Sequence, residues 1–139
     1  MGFNVGDVVY LYKHPESFMT VSMVLSKEQL QYIGFPDDAN IVYCSLFYGL
    51  THFSAFYETK LLMKTFNDNS RPELKIGDIV CLKSHPEVQM KVSLLLTEQM
   101  LKFGLIEGDV QCTWFNGKDY SKQFFMAEML EKKSNLSTN

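Results

Sequence analysis

Two triplets place an imidazole and a carboxylate on either side of a proline: His14-Pro15-Glu16 and His85-Pro86-Glu87. Imidazole nitrogen and carboxylate oxygen are metal-ligand chemistry, and the same two groups also recognise polar or charged partners. A zinc site needs three or four protein ligands. Each triplet offers one His and one Glu, so no metal is expected. The triplets are better read as a recognition loop presented twice, with His14, Glu16, His85 and Glu87 as its contacts. The plainer alternative is a proline turn with solvated polar neighbours.

Nucleophilic chemistry has less support. A catalytic cysteine needs a base within reach, and no His lies close in sequence to Cys44 or Cys112. Each of these cysteines shares a strand face with apolar neighbours, Val42 and Leu46 or Val110 and Trp114, which predicts a core position. Cys81 has no counterpart in the first half. No Walker motif, HExxH or CxxC is present, and no acid–base pair recurs at matched spacing. The chain is therefore expected to be non-catalytic and to carry no cofactor.

Aromatic residues are the third candidate. Six of the seven tyrosines fall in the first 64 residues, more rings than a small core holds. Some must face a partner, and Tyr12, Tyr32, Tyr43 and Tyr48 are the candidates for a protein or peptide contact. Alternatively they line the contact between the two halves of the chain, or a homo-oligomer interface.

The elements that must position these residues are written twice. Residues 5–25, VGDVVYLYKHPESFMTVSMVL, align with 76–96, IGDIVCLKSHPEVQMKVSLLL, and eleven of these twenty-one positions are identical. The match resumes at IVYCSLFYG, 41–49, against DVQCTWFNG, 109–117. Such self-similarity is the mark of a tandem duplication. Each unit opens on Gly-Asp, a turn signal. A short strand follows, over 8–12 and 79–83, and the His-Pro-Glu triplet ends it as a loop or edge, since proline cannot donate to a ladder.

The second strand alternates. Met19, Val21, Met23 and Leu25 share one face, and Met90, Val92, Leu94 and Leu96 match them. Ser26 with Gln29 has capping-box spacing. The segments 26–40 and 97–108 thus read as helical turns, with hairpin arms as the competing form. Strands are expected at 41–48 and 110–116, then at 52–57 and 120–125. Asn116-Gly117 is a strong hairpin signal, and a helical turn closes each unit at 58–62 and 127–130.

The charge balance disfavours nucleic acid. The formal net charge is −3, and the single arginine, Arg71, lies in the polar stretch 65–73 between the units. A small barrel holding RNA or DNA remains the alternative function, with the lysines of the second unit as its surface. No apolar run is long enough to span a membrane. No signal peptide is visible and the cysteine number is odd, so a reducing, cytoplasmic setting is expected.

The second unit, KIGDIVCLKS…MKVSLL…VQCTWFNGKDYSKQFF…ML, resembles the YodC-like family of small bacterial proteins. Gly77, Asp78, Leu82, Met90, Val92, Cys112, Trp114, Phe115, Gly117 and Phe124 carry the likeness. The first unit is similar more weakly, through Gly6, Asp7, Val9, Met19, Val21, Cys44 and Gly49. Both units depart from the family pattern at the triplet, where that family has Gly-Gly-Pro. The resemblance implies a small β-barrel and a bacterial source, and no reaction.

The fold class expected is mainly all-β, with two tandem small SH3-like barrels or rolls, each with a short helical turn. The first spans 1–64 and the second 74–132. Residues 65–73 form the linker and 133–139 a disordered tail. The expected function is binding of a protein or peptide.

Overall fold

The computed structural model of the chain describes residues 2–65, 70–96 and 108–133. The polypeptide is mainly β. In the first half, β1 (Val8–Leu11), β2 (His14–Val24), β3 (Ile41–Tyr48) and β4 (Thr51–Glu58) lead through a 3-10 turn to β5 (Leu62–Lys64). They form an antiparallel sheet of order β4-β3-β2-β1-β5. In the second half, β6 (Ile79–Leu82), β7 (His85–Leu95), β8 (Val110–Phe115), β9 (Tyr120–Phe125) and β10 (Leu130–Lys132) form a sheet of order β10-β6-β7-β8-β9. The registers correspond: Val9 pairs with Met19 as Val80 pairs with Met90, and Val21 with Cys44 as Val92 with Cys112. Among the described residues neither sheet closes on itself.

The Gly-Asp pairs shape the entry to each sheet in the same way. Gly6 and Gly77 take φ of 95° and 97°, a region that costs little only for glycine. Asp7 Oδ2 then accepts from Asn4 N, and Asp78 Oδ2 from Lys75 N, each at 2.8 Å. Burial of alternate residues builds one core per sheet. Val9, Met19, Val21, Val42, Cys44 and Leu62 fill the first. Val80, Leu82, Met90, Val92, Cys112, Trp114, Phe125 and Met129 lead the second.

Between β2 and β3 the chain forms α1 (Lys27–Ile33). Its capping box is complete: Ser26 Oγ accepts from Gln29 N at 3.2 Å and Gln29 Oε1 from Ser26 N at 2.8 Å. Gly34, at φ 103°, ends it. Leu30 is its buried residue and packs with Leu25 and Ile41. The helical form expected over 26–40 is thus present. Its counterpart at 97–107 lies outside the described residues, as do 66–69 of the linker and 134–139 of the tail.

Two expectations are corrected. The strict alternation of the second strand fails at Leu94, which is exposed, because a bulge between Val92 and Leu94 shifts the side-chain phase. The triplets open β2 and β7 rather than ending a strand, because the chain turns at 12–13 and 83–84 and pairs again at Leu11–His14 and Leu82–His85. In the stretch between the two sheets, Arg71 pairs with Asp109, which is buried, and with Glu128. No helix among the described residues is long and apolar enough to cross a membrane.

Candidate binding face

The two triplets occupy unlike surroundings. His14 and Glu16 are both exposed, with Nδ1 and Oε1 3.6 Å apart, an arrangement of small energetic consequence in water. His85 instead sits in the junction between the two halves. Its Nδ1 lies 2.8 Å from Ser84 Oγ, and its ring is edge-on to Phe47. Burial lowers its pKa, against the opposing influence of Glu87 and of a hydrogen bond to the Phe47 backbone. Glu87 faces solvent. The structure therefore does not gather the four residues into one site. Among the described residues no group of three or more His, Cys, Asp or Glu side chains is placed to hold a metal.

The tyrosines are dispersed too. Tyr12, Tyr32 and Tyr48 are exposed. Tyr43 is half-buried against Phe56, with centroids 4.5 Å apart, and Phe56 meets Phe35 beside α1. No ring contact joins Tyr12, Tyr32, Tyr43 and Tyr48 to one another.

The junction gathers what the sequence did not single out. The outer face of the first sheet packs onto the second half of the chain. Phe47, 4% exposed, joins the second core rather than its own, meeting Trp114 edge-on at 5.2 Å. Thr20 Oγ1 donates to Ser84 Oγ at 2.7 Å and accepts from Ser84 N at 3.1 Å. Trp114 Nε1 donates to Leu50 O at 2.8 Å. His52 lies against Phe47, Trp114 and Phe125. Gly6 is pressed so close to Glu128 that a Cβ there would lie 2.4 Å from its carbonyl oxygen. Ser84 and His85 have a hydroxyl–imidazole geometry that can activate a nucleophile. Here the hydroxyl is engaged by Thr20 and the imidazole by the Phe47 backbone, so the pair serves the junction.

The same face of the second sheet is open. Ile76, Phe115 and Tyr120, counterparts of Val5, Phe47 and His52, are 66%, 51% and 73% exposed. A Cβ at Gly77 would meet nothing within 4 Å. These residues, with Ile79, Gln89, Lys91 and Thr113, line a groove of about 560 Å3. Its wall is an edge-to-face pair, Phe115 on Tyr120, with centroids 5.5 Å apart. Strand register sets Phe115 opposite Tyr120 across β8 and β9, so two large rings stand on one row of the outward face.

In the sequence Phe115 stands out only through the family resemblance and Tyr120 only as a strand residue; neither is marked as a contact. The available signal was their alignment with Phe47 and His52. A scan against protein-family models finds no match for this chain, and searches of curated proteins and of solved structures find none.

Proposed function

We propose that the chain is a non-catalytic protein- or peptide-binding protein. It is built as a tandem pair of small SH3-like modules of the YodC-like kind, and the outer face of the second sheet is its binding face. One observation carries the reading: the groove framed by Ile76, Phe115 and Tyr120 is open where the corresponding face of the first sheet holds another protein surface. A large exposed apolar patch on a folded chain marks an interaction site. Aromatic side chains that keep one polar end suit such a site. The exposed Tyr12, Tyr32 and Tyr48 are secondary contacts in this reading. The three free, buried cysteines fit the reducing, cytoplasmic setting expected of it.

The test is site-directed photocrosslinking in cells of the source organism. A benzophenone side chain at position 120 is expected to trap a defined protein that the same group at the exposed Lys60 does not. If position 120 traps nothing beyond what position 60 traps, the face is not the site.

A further inference from the structure

We infer that the occupant of the groove is an acidic protein segment carrying apolar side chains, an inference that rests on the protein-binding reading above. One row of residues across the second sheet points to it. Register places Ile79, Lys91, Thr113 and Lys122 side by side on β6, β7, β8 and β9. Lys91 and Lys122 are exposed and make no ion pair among the described residues. With strands roughly 4.8 Å apart, their backbones lie about 10 Å from one another on either side of Thr113. The neighbouring row on the same face is Phe115 and Tyr120. Lys91 therefore lines the apolar groove, and Lys122, opposite its Thr113, stands in the row beside Phe115 and Tyr120.

The corresponding row of the first sheet is Val8, Thr20, Ser45 and Ser54. It carries no charge, and Thr20 and Ser45 are buried at the junction. A neutral row suits a neutral neighbour. Two uncompensated ammonium groups do not, because covering them costs desolvation unless carboxylates meet them.

A second copy of this chain is a poor occupant for the same reason. The end that the first sheet's face meets presents Ser84, and the aligned position of the first half is Lys13. A copy docked in that way would set Lys13 against Lys91. Nucleic acid fits less well than an acidic peptide. The sole arginine is committed to Asp109 and Glu128. The groove is also walled by Ile76 and Ile79 rather than by further cations along a phosphate track.

The experiment uses the full chain and three fluorescent peptides of one Leu/Phe pattern, with Glu, Gln or Lys at the remaining positions, plus a labelled oligothymidine of equal length. Binding is read by anisotropy at low and high salt. The Glu peptide is expected to bind about tenfold more tightly than the Gln peptide at low salt, and this advantage is expected to fall with salt. Lys91→Gln with Lys122→Gln should erase the advantage. Lys91→Glu with Lys122→Glu should transfer it to the Lys peptide. Both pairs are surface substitutions, and the emission of Trp114 checks that the fold is kept.

Equal binding of the Glu and Gln peptides would overturn the acidic occupant and leave the protein-binding reading intact. Failure of all three peptides would sink both. Tighter binding of the oligothymidine than of the Glu peptide would overturn the inference in favour of nucleic acid. Concentration-dependent self-association abolished by Phe115→Ser would overturn it in favour of a second copy.

Discussion

Acid should loosen this protein at one identifiable histidine. The His52 ring lies between Phe47, Trp114 and Phe125, with Nε2 buried and lacking a hydrogen-bond partner. Burial, aided by the positive charge of a nearby protonated His85, lowers its pKa to about 4. In the unfolded chain it titrates near 6.5. Between those values the unfolded chain takes up a proton that the folded state refuses. The contribution of neutral His52 is thus complete above pH of about 6.5, declines as pH falls, and is gone below about 4. Integrated over that window the loss is about 3 kcal/mol. His85, whose pKa burial also lowers, adds in the same direction. Trp114 is the single tryptophan and stands in this junction, so its emission reports the event. Denaturant unfolding of wild type and His52→Phe, followed at neutral pH and near pH of about 4, isolates the residue, since every other acid-sensitive group is common to both. The variant is expected to retain about 3 kcal/mol more than wild type at the acid end, relative to neutral pH. Equal losses in the two proteins would refute the reasoning.

Three further outcomes are expected. Phe47→Ala should cost about 3–5 kcal/mol, because a buried ring is deleted from the second core, and should red-shift Trp114 emission. Gly77→Ala should cost about 1–2 kcal/mol, for the left-handed backbone alone. Gly6→Ala should cost clearly more, since its Cβ also meets the Glu128 carbonyl; thermal melts of the two variants compare them directly. The Cys44 and Cys112 thiols are pushed up to about 12 and Cys81 to about 11, each chiefly by burial. A disulfide reagent at neutral pH should therefore leave all three intact in the folded protein and titrate all three in denaturant.

The strands were readable where periodicity and turn chemistry agreed. Ile41–Tyr48 and Tyr120–Phe125 match the reading residue for residue, and Asn116-Gly117 explains the second hairpin. The Ser26–Gln29 spacing announced α1 because a capping box is local chemistry. Leu94 was misplaced because a bulge adds a residue that no hydrophobic pattern marks. Strands β5 and β10, three residues each, are too short to carry a period and exist by pairing with β1 and β6. The candidate site was hidden for a different reason. His14 and His85 sit in the same triplet yet lie in solvent and in a junction. Phe47 and Phe115 are the same residue type at aligned positions, one buried and one exposed. Which copy of a face is covered is decided by how the halves pack, and no local pattern encodes that.

The junction joins unlike surfaces, the outer face of one sheet against the β6–β7 turn and the closing 3-10 turn of the other half. Two halves meeting through like faces would have consumed both copies. Meeting head to tail consumes one of each, so the molecule has a polarity, with one uncovered face left over. The two faces are then under different constraints. Substitutions at Thr20, Ser45 or Phe47 are tested first against folding, because those side chains are buried at the junction. Substitutions at Lys91, Lys122, Phe115 or Tyr120 touch solvent and leave stability nearly unchanged. Such a chain can retune what it binds without first being restabilised, with one half serving as ballast for the variation of the other.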